Sequence, residues 1–383
     1  MRIAVIGAGL GGVTAAVGLH RRGHAVTLFE RGAELREAGT AVVVMPNGLR
    51  ALDELGLGDS LPDDQATPTV SGGLRDWRGR PLLVTNAAQA QRTVGRTVTV
   101  RRAELHRALR APLPAELVRT ATPVERLEPG DDEVTVISDG RAVTTADAVI
   151  VADGIGSAIR GRLYPHHPGP RRVGRLDLRG MLPRPASLDV SELLTSIMVD
   201  RRTGSMFGLF PVGEHDLYWF TDSALHGAPP GADEARRQVL ALMADWHPAV
   251  PALIGATPPA DIYVDAIACL AEPLSSFAIG RVALLGDAAH AMTPDLGQGA
   301  SQAFEDAAAV TRHLADAGPA DVAERLRRYD AERRPRTTRL MLASSRQSWL
   351  MTRTGAVAWV RDALLRAVPD RLATRRLAAM WQA

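Results

Sequence analysis

The chain contains no lysine, so all 45 of its basic residues are arginine. That absence excludes a Walker-type phosphate lysine, a Schiff-base lysine and any pyridoxal phosphate mechanism. Cys269 is the only cysteine, which rules out an intrachain disulfide, an iron–sulfur cluster and a paired redox dithiol. Cys269 itself reads as a small buried apolar residue. No apolar run approaches the roughly 18 residues that a membrane-spanning helix needs. Met1-Arg2-Ile3 leads straight into a strand-like run, leaving no room for a signal peptide. A cytoplasmic protein without a membrane span is expected. Charge of one sign is also scarce in excess: the formal net charge is +2. The arginines are scattered among acids, so a nucleic-acid partner is not expected. No Gly-x-Ser-x-Gly stretch and no metal-binding histidine cluster occurs, so neither a serine hydrolase nor a metal site is expected.

What is present suits two packed domains: 383 residues, 46% of them hydrophobic and 23% charged. The arginine-only basic set points to a GC-rich bacterial source.

Ile3 to Ile6 reads as a buried parallel strand. Gly7-Ala8-Gly9-Leu10-Gly11-Gly12 follows, then a helix from Val13 to about Arg22, and a second strand from Ala25 to Phe29 that ends at Glu30. Gly7 suits the tight turn, Gly9 the close approach of backbone to a pyrophosphate, and Gly12 the packing of helix on strand. The helix start offers free N–H groups and a positive dipole end to phosphates. Glu30 is placed to accept hydrogen bonds from ribose hydroxyls, and its charge would repel a 2′-phosphate. A dinucleotide site is the reading; the motif alone leaves NAD and FAD open.

Two further stretches have the same grammar. Val149-Ile150-Val151-Ala152 delivers Asp153-Gly154 at a strand's carboxyl end, with Ser157 placed to cap a helix. Val282 to Leu285 delivers Gly286-Asp287, followed by Pro294, Gly297-Gln298-Gly299 and a small-residue helix from Ala300 to about Leu314. That helix start can stabilise negative charge on a flat ligand, and Asp287 can accept bonds from polyol hydroxyls.

Together these residues closely resemble the group A flavoprotein monooxygenases, which include salicylate, hydroxybenzoate and FAD-dependent urate hydroxylases. Pro46-Asn47-Gly48, Arg102-Ala103-Glu104-Leu105, Phe210-Pro211-Val212-Gly213, Tyr329 and Arg333-Arg334-Pro335 extend the resemblance over nearly the whole chain. The resemblance implies an α/β fold: a Rossmann-like FAD-binding domain with an inserted antiparallel-sheet substrate domain and a C-terminal helical tail. The expected limits are 1–72, 97–173 and 265–340 for the FAD domain, 73–96 and 174–264 for the sheet domain, and 341–383 for tail helices broken near Pro369. Strand-like segments Ser205 to Phe210 and Asp216 to Thr221 belong to that sheet. The tail's mix of Leu, Ala, Trp and Arg reads as packing on the FAD domain or a second subunit, or as lying on a membrane surface.

By the resemblance, Gly7, Gly9, Leu10, Gly11, Gly12, Glu30 and Arg31 would hold the ADP part of non-covalent FAD. Val43 would line the same cofactor site. Arg102 would reach the pyrophosphate and ribityl region, and the backbone near Val124 would meet the adenine. Asp287 would bind the ribityl or pyrophosphate region, while Pro294, Leu296, Gly297, Gln298, Gly299 and Ala300 would carry the isoalloxazine. Asp153 would link FAD to transient NADH or NADPH, since no second strand–GxGxxG–helix unit is present. The implied reaction is reduction of the flavin by NAD(P)H, addition of O2 at C4a, and transfer of one oxygen atom to a small aromatic or apolar substrate. Asp295, beside the ring, is a candidate base on a phenol or activator of water, and equally a helix-capping acid. Tyr218 is a candidate substrate hydrogen-bonder, and otherwise an ordinary sheet tyrosine. His290 reads as structural. Arg179 is similar in position to an arginine that follows an aromatic residue in relatives; here Leu178 replaces the aromatic. A flavin dehydrogenase or oxidase on the same scaffold is the first alternative, and a flavoprotein sensor a more distant one. A halogenase is disfavoured, because Trp-x-Trp-x-Ile-Pro and the lysine of that class are both missing. A monomer or a homodimer is expected.

Overall fold

The computed structural model describes residues 1–35, 39–61, 67–69, 73–83, 92, 95–369 and 372–373. The fold is α/β, and two sheets organise it. The first has six strands in the order Ala278–Ile279, Val282–Leu284, Ala148–Val151, Arg2–Ile6, Ala25–Phe29 and Val118–Arg119. All its pairings are parallel except the short first one. Arg2–Ile6 is central, and Ile3, Ala4, Val5 and Ile6 are all buried. A parallel strand covered on both faces needs that continuous apolar run, and each fully buried Val or Ile contributes about 1.5–3 kcal/mol before chain entropy is set against it.

Two helices lie on this sheet, Leu10–Arg21 and Gly299–Leu314. They approach closely because Gly11 has no side chain: a Cβ there would meet Leu285 at 2.8 Å and Ala303 at 3.0 Å. The first helix starts at Leu10, three residues earlier than the sequence suggests. Leu10, Gly11 and Gly12 therefore form its first turn, with Gly9 as the capping residue.

The second sheet has seven strands: Ile262–Leu270, Pro170–Pro183, Asp216–Ala224, Met206–Val212, Ser196–Val199, Gly73–Asp76 and Pro81–Leu83. It is antiparallel except where Ser196–Val199 runs parallel to Gly73–Asp76. Alternation along these strands sends Leu176, Leu178, Phe207, Leu209 and Trp219 to one face. There they bury against Val239, Val250, Leu253 and Ile254 of the helices Ala232–Leu242 and Ala249–Ala256. The opposite face carries Met181, Phe210, Tyr218 and Phe220, which pack with Ala41 of the strand Ala41–Val44. Pro170–Pro183 runs across the boundary expected at residue 173, and Ile262–Leu270 across that expected at 264.

The C-terminal helices show the expected break near Pro369 and a second one before it. One helix runs from Val322 to Met351 and the next from Gly355 to Ala367, so the chain is interrupted at 352–354 and again at 368–369. Gly355 adopts φ +66°, which turns the chain. Arg361, buried in the second helix, donates to the carbonyls of Met351 (2.7 Å) and Leu350 (3.2 Å) at the first helix's end. Its charge is matched by Asp362 at 2.7 Å. Among the described residues no helix is long and apolar enough to cross a membrane, and no cluster of three metal-ligating side chains occurs.

Candidate active site

The glycine loop after the first strand is shaped by two glycines and left open by the third. At Gly7, φ is +99° and a Cβ would lie 2.4 Å from the Ala152 carbonyl oxygen. At Gly12 a Cβ would lie 1.9 Å from the Gly7 carbonyl oxygen. Both positions are closed to any side chain by protein backbone. At Gly9 a Cβ would meet nothing within 4 Å, so protein packing gives no reason for glycine there. A ligand approaching the helix start does. Glu30 tightens the loop: its Oε2 accepts from the Ala8 N–H and its Oε1 from the Gly32 N–H, both at 2.9 Å. A carboxylate has about four acceptor positions, so capacity remains for ribose hydroxyls. His106 reaches the same loop, its Nε2 lying 2.7 Å from the Ala8 carbonyl.

Charged side chains converge beside this loop. Asp153 is half-buried, and its Oδ1 has no hydrogen-bond partner. Burial raises its pKa against the opposing pull of Ser157, Arg160 and Arg31. Ser157 caps the short helix Ala158–Leu163, accepting from the Arg160 N–H at 3.0 Å. Asp287 stands exposed directly after Gly286. It acts on both Arg102 and Arg160, which places all three around one recess. Partial desolvation and the nearby Arg179 charge lower the Arg102 pKa, while Asp287 opposes them. Val43 is half-buried on its strand, and Val124 opens the strand Val124–Pro129. The segment just before Val124 is tied to the Glu30 turn by Thr122 N–H to the Glu30 carbonyl, 2.9 Å.

Beyond Asp287 the chain forms a short 3-10 turn, Pro294–Leu296, and Gly297 follows with φ +61°. Gly299 opens the long helix, and a Cβ there would again meet nothing within 4 Å. Ala300 and Leu296 are both half-exposed. The Gln298 side chain, however, turns inward, 1% exposed. It accepts from Asn47 Nδ2 and Gln302 Nε2, both at 3.0 Å. That side chain is therefore committed to the protein and does not face a ligand.

Under this helix start lies a polar network that sequence reasoning does not resolve. Asp306 is fully buried; its Oδ2 accepts from the Gly286 N–H (2.9 Å) and His290 Nε2 (2.6 Å), its Oδ1 from Arg333 Nε (2.7 Å). Burial alone would push the Asp306 pKa up; the charges of His290 and Arg333 bring it to about 2. Arg333 also reaches Gln302 Oε1 (2.7 Å) and Glu305 (2.5 Å), and Arg336 pairs with Glu305 at 2.8 Å. The Gly286 turn is thereby clamped to both long helices. His290 belongs to this clamp, in keeping with its structural reading.

Asp295 sits between the glycine-rich helix start and the second sheet. Desolvation raises its pKa despite hydrogen bonds from Thr293 and Ser348, and its Oδ1 has no partner. Its charge acts on Asp222, and that of Arg175 acts on it, so it faces the sheet. Tyr218 is 7% exposed; burial first, then the Asp177 charge, raises its pKa. Phe210, Tyr218 and Phe220 form an aromatic surface with ring centroids 6.2–6.4 Å apart. Sequence reasoning overlooks Arg175, Asp177 and Asp222 on the same face. The signal was present: charges alternate with leucines along Arg175-Leu176-Asp177-Leu178-Arg179.

The residues fit a bound flavin nucleotide. Gly9 and Gly299 are open where no packing demands it, Asp153 has an orphaned oxygen, and Arg102 is a cation without a side-chain partner among the described residues. Comparison with known proteins agrees. The chain is 32% identical over 374 residues to aurachin C monooxygenase/isomerase of Stigmatella aurantiaca, covering 96% of this chain and 94% of that protein. It is 33% identical over 367 residues to 6-hydroxynicotinate 3-monooxygenase of Bordetella bronchiseptica, covering 92% of each. The crystal structure of Klebsiella pneumoniae HpxO complexed with FAD and uric acid superposes with a TM-score of 0.90 at 29% identity, over 100% of this chain and 97% of that one. Residues 1–344 match the FAD binding domain family, and the chain belongs to it.

Proposed function

We propose that the protein is a FAD-dependent monooxygenase that uses NADH or NADPH and O2 to insert one oxygen atom into a small aromatic substrate. The observation that carries this reading is that Asp295, next to the Gly297–Gly299 helix start, is coupled to Asp222 and Arg175 of the sheet face that also bears Phe210, Tyr218 and Phe220. Bound FAD would supply the redox chemistry; the protein binds, orients and excludes water.

In this reading Gly7, Gly9, Leu10, Gly11, Gly12, Glu30, Arg31 and Val124 hold the ADP moiety. Arg102, Val43, Asp153 and Asp287 line the middle of the cofactor, and Pro294 to Ala300 support the ring through backbone. The strands of the parallel sheet and the helices on it form the FAD-binding domain, with the seven-stranded sheet as the substrate domain. Asp295 is the base that takes the proton from a substrate hydroxyl, because desolvation moves its affinity for a proton toward that task. Tyr218 donates a hydrogen bond to the substrate. The protein is cytoplasmic, as a monomer or a homodimer.

The test is aerobic NAD(P)H oxidation by the FAD-loaded protein across phenols, indoles, quinolones and purines, with products weighed by mass spectrometry. A compound that accelerates oxidation and gains one oxygen atom supports the reading. A product only two hydrogens lighter would move the assignment to a dehydrogenase or oxidase. Asp295→Asn is expected to lower kcat on phenolic substrates by about 10²-fold or more while FAD stays bound. An unchanged kcat would return Asp295 to a capping role.

A further inference from the structure

The arginines on the substrate-facing sheet are already neutralised by aspartates of the same face. Register shows how. Asp177 stands opposite Asp222 on one neighbouring strand and opposite Asp265 on the other, so three carboxylates form a row across three strands. Arg179, two residues along the same face, places its Nε 3.1 Å from Asp177 and pairs through its outer nitrogen with Asp265. Arg175, two residues the other way, donates from Nε to Asp222 at 2.6 Å and from its other arm to the Gly204 carbonyl at 2.7 Å. Asp295 faces this group from the helix side. Two arginines thus meet four aspartates, and Arg102, a further cation that acts on Arg179, is drawn toward Asp287.

We propose that the site takes neutral or phenolic aromatic molecules and rejects aromatic carboxylates, with Asp177, Asp222 and Asp265 as the specificity-determining residues. This rests on the monooxygenase reading of the same site. Recognition of a carboxylate needs a cation whose fork is free to make paired bonds. Here Arg175 is bonded to Asp222 and Arg179 stands between Asp177 and Asp265, so an added carboxylate would have to compete with aspartates already on the same cations. The Phe210–Tyr218–Phe220 surface offers a neutral ring the apolar contact it needs. The scaffold itself does not impose this choice, since one relative is named for hydroxynicotinate, a carboxylate.

The experiment uses matched pairs on the FAD-loaded enzyme: phenol with 4-hydroxybenzoate, indole with indole-2-carboxylate, 2-hydroxypyridine with 6-hydroxynicotinate. Binding is read from the perturbation of flavin absorbance, turnover from NAD(P)H oxidation and product mass. The neutral member of each pair is expected to bind about tenfold tighter or more. Equal or tighter binding of the carboxylates overturns the proposal while leaving the oxygenase reading intact. Failure of every compound, charged or neutral, to bind or be oxygenated overturns both. Asp265→Asn, on a side chain 62% exposed, and its combination with Asp177→Asn release Arg179. The ratio of carboxylate to neutral-partner Kd is then expected to fall about tenfold. If that ratio does not fall in Asp265→Asn, the proposal fails, whether or not the double variant folds.

Discussion

Asp306 and Asp177 are both carboxylates withdrawn from water, one beneath the glycine-rich helix start and the other on the sheet that faces it. Desolvation is the largest influence on each. Their outcomes are opposite because their neighbours differ. Asp306 accepts from an arginine, a histidine and a backbone N–H, and its pKa falls to about 2. Asp177 has the partial attention of one arginine and two further aspartates in its own row, and its pKa rises to about 7. Asp222 follows it, to about 6. A buried charge with complete partners fixes a structure, whereas one with too few remains responsive to whatever enters beside it. The Asp306 clamp therefore fixes the helix start, whereas the carboxylates of the sheet face stay responsive to their surroundings.

The sharpest way to break this comparison is to orphan a partner in the clamp. Arg333→Met leaves Asp306 and Glu305 buried beside fewer cations, and the expected loss is about 3–5 kcal/mol of unfolding free energy. Urea unfolding of the FAD-loaded protein measures it. A loss below about 1 kcal/mol would mean that the network is not a structural clamp.

The glycine loop separates structural from ligand-driven demand within a few residues. Gly12→Ala puts a methyl 1.9 Å from a backbone oxygen and is expected to displace the helix and abolish FAD retention. Gly9→Ala meets only open space. Its apo-protein Tm should stay within about 2 °C of the parent, while FAD Kd rises about tenfold, as expected when a methyl replaces the close approach of phosphate to backbone. Equal effects of the two substitutions on the apo-protein would show that Gly9 is a packing residue after all.

The two carboxylates also make opposite predictions about pH. With Asp177 at about 7, the folded state holds a proton that the unfolded chain has released between about pH 4 and pH 7. Stability should therefore fall as pH rises through that window, and Asp177→Asn should flatten the slope by on the order of 1–2 kcal/mol. Asp306 contributes stability that is complete above about pH 4 and lost as pH falls toward 2. Urea midpoints at pH 5 and pH 7 for parent and Asp177→Asn decide the first half. A slope unchanged by the substitution would remove Asp177 as its source.

Much of the cofactor half is legible in the sequence because local rules set it. Strand–turn–helix grammar puts Gly7, Glu30, Asp153 and Asp287 just after strand ends and Gly12 in the first turn of the helix that follows, and those positions depend on spacing within a single unit. The start of the first helix at Leu10 was less legible, since three glycines suppress the usual propensity signal. The Asp306 clamp is invisible because its members come from residues 47 to 336 and meet only after the long helices pack. The sheet-face charges lie between these cases. Alternation marks Arg175, Asp177 and Arg179 as sharing a face, but which residues stand opposite is a matter of register across the Pro170–Pro183 strand, fixed by distant pairing. The turn at 352–354 was masked by the stronger local signal of Pro369, while the side chain that caps the preceding helix, Arg361, lies in the next one.

The smallest expected effect supplies the baseline for all of these. Arg237 and Glu234 form an ion pair on the helix Ala232–Leu242, three residues apart, with side chains 68% and 46% exposed. Their separation is as short as any in the Asp306 clamp, so proximity alone would rank the two alike. Water already solvates both groups, and Glu234 keeps its favourable place in the helix's first turn whether or not Arg237 is present. Arg237→Ala is therefore expected to change unfolding free energy by no more than about 0.5 kcal/mol, and less at high salt. A loss above about 1 kcal/mol would show that contact distance, and not desolvation with its demand for complete partners, is what separates the clamp from the rest of the surface.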